Sequence, residues 1–304
     1  MKLPFLGPVV PPHVFCLLPE GVTYAQIRRE PPAGIAQSRY FSYPAGTVRT
    51  SAGGAPHFTR EAVAEAVEAA RRLSDGRLSR ASVVFPDAWA RILPIEFDTL
   101  PDAAEAVRSM AAWKLKKLLP ASTAEMSVAY REMPTEGEGR RLLVAAASQE
   151  MLQSIEESFL SLGVRVGALA PQSLALFDGL AARLTASAGG DWAFVHRCAG
   201  SLVFAVSSKG QPILFRQRPA SEDGDARDEE VRLSLSYYTE KLKGAGLAAV
   251  YIHDEMPGDG LAASFPVPPV KLGSRLLGAD PALDERVAVR PELLAAFAAV
   301  WGRP

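Results

Sequence analysis

His13-Val14-Phe15-Cys16-Leu17-Leu18-Pro19-Glu20-Gly21-Val22-Thr23-Tyr24-Ala25-Gln26-Ile27-Arg28 is the stretch on which the fold turns. Two β-like runs, 13–18 and 22–28, flank Pro19-Glu20-Gly21, and a Pro–Gly break between such runs predicts a hairpin. Downstream, the loop Glu30 to Gly34 leads to a third run, Ser38 to Tyr43, and then to a loop rich in Gly, Ser and Thr. Phe58-Thr59-Arg60-Glu61 precedes a helical pattern that puts Val63, Ala66, Val67 and Ala70 on one face, with Thr59 as its expected N-cap. That helix should end near Asp75-Gly76, and Ala81 to Phe85 reads as a buried strand.

The same order returns later in the chain. Trp192 to His196, Leu202 to Val206 and Pro212 to Arg216 read as strands, the last after the turn Ser208-Lys209-Gly210. The polar loop Ser221 to Asp228 leads to a helix carrying Val231, Leu235, Tyr238 and Leu242, and then to a strand, Ala248 to Ile252. A β-β-β-α-β order met twice predicts a duplicated two-domain α/β fold. Between the copies, a strand (Arg91 to Phe97), a helix (Asp102 to Leu119), two strands (Met126 to Met133 and Arg141 to Ala147) and a helix (Gln149 to Leu162) form an α+β insertion over about 90–163. Val164 to Leu169 and Gln172 to Leu184 complete the first domain, expected over 1–185. Thr185 to Gly190 is the expected linker, and 190–304 the second domain.

Bulk composition narrows the function. The 304 residues are 48% hydrophobic and 22% charged, enough to build a sizeable core, and the net charge of −1 implies no nucleic-acid partner. Cys16 and Cys198 are the only cysteines, which excludes a disulfide framework and fits a reducing, cytoplasmic setting. Met1 to Pro12 is too short and proline-rich for a secretory leader, and no apolar run nears the roughly 18 residues of a membrane helix. His13, His57, His196 and His253 have no ligand spacing with one another, with a cysteine or with a carboxylate, so no metal site is expected. His196 and His253 fall at the ends of strands that the duplication would make neighbours, either as polar rim residues or as an altered ligand site. No nucleophile elbow, Walker loop or dinucleotide fingerprint occurs. Glu96, Asp98 and Asp102 suit a helix start rather than acid–base catalysis. Arg108, Lys114, Lys116 and Lys117 suit either a solvated helix end or a docking patch for a partner tail or anionic lipid.

Four stretches carry a family resemblance: Ala104 to Pro120 with its core Trp113-Lys114-Leu115-Lys116-Lys117-Leu118-Leu119-Pro120; Arg141 to Ala147 followed by Gln149-Glu150; Gly163-Val164-Arg165-Val166 leading to Pro171-Gln172-Ser173-Leu174-Ala175-Leu176; and Pro291 to Gly302. The first and third are the more specific. Together with the element order they resemble the actin-like, ribonuclease H-like ATPase fold and, within it, the PilM family of type IV pilus assembly proteins, from about Val14 onward. The L-protein of type II secretion is a more distant relative.

Actin-like ATPases hold Mg²⁺ and phosphates with Asp- and Gly-bearing hairpin loops, since Asp orients the hydrated cation and Gly lets amides approach the phosphates. Here Leu17 stands near the first Asp position, Pro19 offers no N–H and Glu20 adds negative charge. His196 stands near the second Asp position, in His196-Arg197-Cys198. His253-Asp254-Glu255 replaces the adenosine-side glycines, and Gly258 and Gly260 follow later. Arg218 to Asp228 runs almost directly into the next helix, so the second domain lacks the family's second small subdomain. The resemblance with these departures implies a non-enzymatic scaffold with no cofactor, no catalytic residue and no metal. It would be peripheral to the inner membrane of a pilus or secretion platform, bound to the tail of a PilN-like membrane protein and to other platform proteins. In such a scaffold an extended tail would gain main-chain hydrogen bonds and side-chain pockets in a groove beside the insertion, where Arg91, Leu93, Trp113 and Lys117 are the expected partner-binding residues. The alternatives are an actin-like ATPase with an altered Mg-ATP site, and the cytoplasmic domain of a type II secretion L-protein.

Overall fold

The computed structural model describes residues 10–50, 54–74, 76–118, 125–135, 137–221, 223–256 and 265–302. In chain order it runs β1 (His13–Leu17), β2 (Gly21–Arg28), β3 (Gly34–Ser42), β4 (Val48–Thr50), β5 (Pro56–Phe58), α1 (Arg60–Leu73), β6 (Arg80–Phe85), β7 (Ala90–Phe97), α2 (Ala104–Leu118), β8 (Met126–Met133), β9 (Arg140–Ser148), α3 (Gln149–Leu160), β10 (Arg165–Pro171) and α4 (Gln172–Ala188). There follow β11 (Trp192–Cys198), β12 (Ser201–Ser208), β13 (Gln211–Pro219), α5 (Gly224–Ser236), β14 (Ala249–Asp254), β15 (Pro269–Lys271), α6 (Ser274–Leu277), α7 (Ala282–Val289) and α8 (Leu293–Trp301).

Two five-stranded sheets share one topology, β10-β6-β1-β2-β3 and β13-β12-β11-β14-β15. In each, three antiparallel strands form a meander whose first strand pairs in parallel with a strand reached through a helix. Parallel pairing requires such a crossover. This is the duplicated actin-like, ribonuclease H-like arrangement. β1 and β11 sit mid-sheet and are buried along their whole length, so both lack polar–apolar alternation; His13 on β1 and His196 and Arg197 on β11 are buried polar residues within otherwise apolar runs. The β12–β13 turn has positive φ at Lys209 and Gly210, the mirror-image turn that matches strand twist. The insertion is an antiparallel sheet, β7-β9-β8, covered by α2 through Val107, Ala111 and Leu115 against Ile95, Val128, Leu142 and Val144. β13 ends at Pro219 and α5 begins at Gly224, with no subdomain between them.

Several expectations change. Residues 185–188 are helix, not linker: alanine favours continuation of α4, and Gly189, at φ 71°, ends it in the left-handed conformation. Thr59 does occupy the N-cap position of α1, but its side chain makes no capping bond. The Gly-, Ser- and Thr-rich loop contains the small β4–β5 hairpin. Most consequentially, α8, grouped with residues 190–304 by chain order, packs on α4, β1, β2 and β6, and α7 packs on β3. Asp75, Leu119, Pro120, Gly258 and Gly260 lie outside the described residues.

α4 and α8 meet backbone to backbone. A Cβ added at Gly179 would lie 2.0 Å from the Ala298 carbonyl oxygen, and one at Gly302 would lie 1.5 Å from that of Gly179. The α8 face is built from small residues, Ala295, Ala296, Ala298 and Ala299, and every residue from Leu293 to Val300 is buried. Gly179→Ala therefore sets helix propensity, which favours alanine by about 1 kcal/mol, against overpacking, which costs about 1–3 kcal/mol. The obstacle is backbone and cannot rotate away, which puts overpacking at the upper end of that range, so urea unfolding should show a net loss of about 2 kcal/mol; a neutral or stabilised variant would mean that the helices do not touch at this point.

Candidate functional site

A buried polar cluster lies where the two sheets face each other. Its first member, Asp87, follows Pro86 at the end of β6, in a single 3-10 turn over Asp87–Trp89, and is wholly buried. Asp87 Oδ1 accepts from the Ser173 amide at 3.0 Å and from its hydroxyl at 2.8 Å, both at the start of α4. The other oxygen, Oδ2, lies 3.7 Å from Cys198 Sγ and 3.8 Å from His196 Nε2, both on β11. His196 is register partner to His253 on β14, and their rings lie parallel with centroids 5.4 Å apart. His196 Nδ1 lies 3.2 Å from the His253 carbonyl, and His253 Nε2 lies 3.1 Å from the Pro291 carbonyl. A carbonyl only accepts, so each of those nitrogens carries the proton and the opposite nitrogen carries the lone pair. Glu255 accepts from Gln172 Nε2 at 3.2 Å, and its Oε1 lies 3.3 Å from His253 Nε2. Nearby, Thr23 Oγ1 donates to Glu292 Oε1 at 2.5 Å, and Cys16 Sγ lies 3.5 Å from the Glu292 carbonyl.

Burial governs the charge of this cluster. It pushes the Asp87 and Glu255 carboxyls up to about 7, and it pushes the imidazoles of His196 and His253 down to about 4. Both thiols are driven up by the same desolvation, reinforced by nearby carboxylates. Near neutrality the histidines are thus uncharged bases beside carboxyls that are partly protonated.

Beside the cluster are two structural fasteners. Arg197 and Asp254, register partners on β11 and β14, form a two-pronged ion pair at 2.8 and 2.7 Å, and Asp254 Oδ1 also accepts from the Met256 amide. Gln217 on β13 reaches across the halves: its Nε2 donates to the carbonyls of Asp87 and Ala90, and its Oε1 accepts from the Ile92 amide.

Of the residues singled out by sequence, His196, Cys198 and His253 converge in this cluster, although no two of them have ligand spacing in the chain. Asp254 does not join them, being occupied by Arg197. Leu17 is buried within β1, whereas Pro19 and Glu20 form an exposed turn closed by the Leu18 amide on the Gly21 carbonyl. The four expected partner residues fall into two pairs. Arg91 and Leu93 lie early on β7, while α2 is tied to the far end of that strand, where Lys114 Nζ bonds to the Glu96 carbonyl and lies 4.7 Å from the Phe97 ring centroid. Six residues of strand separate Arg91 from Phe97, about 20 Å. Trp113 is 58% exposed and carries Lys117 Nζ over its ring at 3.7 Å. Asp87, Gln217 and Glu292 were not anticipated; only the Pro86-Asp87 step after an apolar strand hints at the first of them.

Arg197→Met should leave the part-buried Asp254 without its counter-charge and cost about 2–3 kcal/mol, below the cost for a fully buried pair, whereas Arg197→Met with Asp254→Leu should recover most of that loss. Denaturant unfolding of the two variants is the check; equal losses in both would refute the pairing.

No protein-family model and no curated protein matches the chain. Among solved structures, a chain of one described as a PilM-PilN type IV pilus biogenesis complex superposes with a TM-score of 0.70 at 17% identity, covering 98% of this chain and 100% of that one. The cytoplasmic domain of EpsL, an inner membrane component of the type II secretion system of Vibrio cholerae, gives 0.49 at 13% identity, over 88% of this chain and 92% of that one. A Bacteroides thetaiotaomicron protein described as having an actin-like ATPase fold and unknown function gives 0.44 at 10% identity, over 82% of each. The first likeness shows a shared fold; the other two are too loose to add to it.

Proposed function

We propose that this chain is a PilM-like scaffold of a type IV pilus or related inner-membrane platform. It binds the tail of a PilN-like membrane protein and does not bind ATP in the actin-like manner. The observation that carries the second part is what fills the space between the two halves: the side chains of Asp87, Glu255 and Glu292 are packed there, so a triphosphate would meet closely packed carboxyl groups rather than a cradle of amides. The Leu18 amide, which a phosphate loop would turn outward, is spent on Gly21. Leu17 has no means of orienting a hydrated cation.

The first part is supported by the shared fold and by an exposed aromatic surface. Trp113 and Leu118, 58% and 52% exposed, stand on α2 beside Lys117, and a large exposed aromatic with an adjacent cation suits an anchor for a partner segment. Strand addition along the outer edge of β7 is a poorer prospect, because the Ile92 amide is held by Gln217 and Pro94 has no donor. The tail would therefore engage side chains of the insertion, Trp113 and Lys117 first, with Arg91 and Leu93 as secondary contacts. No described helix is long and apolar enough to cross a membrane, so in this reading the partner supplies the anchorage.

Calorimetric titration with millimolar Mg-ATP should give no binding heat; micromolar affinity would sink the lost-site reading. Titration with a synthetic peptide of the cytoplasmic tail of a PilN-like protein from the same organism should show binding. Trp113→Ala should weaken it by about 1.4–3 kcal/mol, tenfold or more. Full affinity in that variant would move the docking face elsewhere, and no affinity in the parent protein would end the partner assignment.

A further inference from the structure

We infer that Asp87, His196 and Cys198 form a binding site for a divalent transition metal ion, zinc foremost, which ties the two halves of the molecule together. Asp87 comes from the β6–β7 junction of the first half, and His196 and Cys198 come from β11 of the second. The three residues are buried, and each offers one donor atom, all within 4.8 Å of one another. In a tetrahedral zinc site, bond lengths of about 2.0 Å to N and O and about 2.3 Å to S place neighbouring donors about 3.3–3.6 Å apart. The Asp87–Cys198 and Asp87–His196 separations, 3.7 and 3.8 Å, need only small side-chain rotations to reach that range.

An unsatisfied atom points to a ligand here, independently of the spacing. His196 Nε2 is fully buried and has no hydrogen-bond partner. Buried polar atoms are paired in the great majority of native structures, and an imidazole lone pair left bare in the interior loses its solvation without return. His196 cannot turn its ring to mend this, because Nδ1 is engaged by the His253 carbonyl. That bond is also the outer support that metal-ligating histidines commonly have, fixing the tautomer with the lone pair on Nε2. Asp87 is held the same way: Oδ1 is fixed by Ser173, leaving Oδ2 toward His196 and Cys198.

The donor types select the ion. A thiolate, an imidazole and a carboxylate form a borderline-soft set that suits Zn²⁺ and is poor for Mg²⁺ or Ca²⁺, which prefer all-oxygen shells. One carboxylate and one thiolate neutralise the dication. Glu255, whose Oε1 also lacks a hydrogen-bond partner and which forms a second donor group with His196 and His253, is the candidate for the fourth position. On binding, the Cys198 thiol releases its proton to solvent and the metal–sulfur bond replaces the long Sγ–Oδ2 contact. His196 and Cys198, two apart on β11, already share a face of that strand, but Asp87 comes from the other half and only sheet-to-sheet packing brings it to them.

The test uses the full chain with any affinity tag removed. Chelator-treated protein would be titrated with Zn²⁺ while thermal unfolding is followed, and with Co²⁺ while absorption is followed. The expected result is one equivalent of metal per chain, a higher melting temperature with Zn²⁺, and a thiolate-to-cobalt charge-transfer band. Cys198→Ser should abolish that band and weaken binding at least about 100-fold, with a metal-free melting temperature close to that of the parent. Should Cys198→Ser fail to fold, Asp87→Asn serves in its place and should also weaken binding. His57→Gln, at an exposed residue paired with Glu150, should change nothing. Failure of the parent protein to bind metal or to shift its melting temperature would overturn the site. So would metal binding that survives both Cys198→Ser and Asp87→Asn, which would place the ion elsewhere.

Discussion

Contact between two helix backbones sets the geometry on which the rest depends. With no side chain at Gly179 and only methyls along the facing side of α8, the helices approach until carbonyl meets Cα. That approach brings the residues just before α8 down onto the first sheet. There Glu292 bonds to Thr23, and the Pro291 carbonyl faces His253 on the other sheet. One dry interface thus fixes one wall of the polar cluster. Bulk at Gly179 would act at a distance, because Pro291 and Glu292 could not keep their positions if α8 were lifted.

The interior between the sheets is polar in a way that apolar packing alone would not produce. Desolvation favours neutral forms, so the carboxyls of Asp87 and Glu255 rise to about 7 while the imidazoles of His196 and His253 fall to about 4, which reverses their usual order of proton affinity. Arg197 and Asp254 escape that pressure only because they satisfy each other with two bonds at adjoining strand positions. The charged pair and the neutral cluster are therefore close neighbours here, at consecutive positions along β11, with Arg197 between His196 and Cys198.

Much of the fold could be read from periodicity and punctuation. The Pro-Glu-Gly and Ser-Lys-Gly breaks marked the hairpins, apolar runs marked the central strands, and the repeated order marked the duplication. Chain order misplaced what sequence cannot see, which is the destination of a helix: α8 is apolar on every side, which marks it as buried but not against which half, and the fit of Gly179 to Ala298 decides where it packs. The expected linker failed for a similar reason, since Ala186 and Ala188 are small enough for a loop and equally good in a helix. At the candidate site, strand-end positions correctly paired His196 with His253. Asp87 and Gln217 stayed hidden, because their roles arise from contacts across the two halves, at separations of about a hundred residues or more.

Gln217 has a mechanical implication. Its single side chain bonds to the carbonyls of Asp87 and Ala90 at the β6–β7 corner and, through its other end, to the amide of Ile92. An amide planar group bonded at both its ends resists rotation as well as separation, so it works as a rivet rather than a hinge pin. Any displacement of β13 from the β6–β7 corner would have to break all three of these hydrogen bonds at once, so the second half's sheet and the first strand of the insertion are held in register with each other.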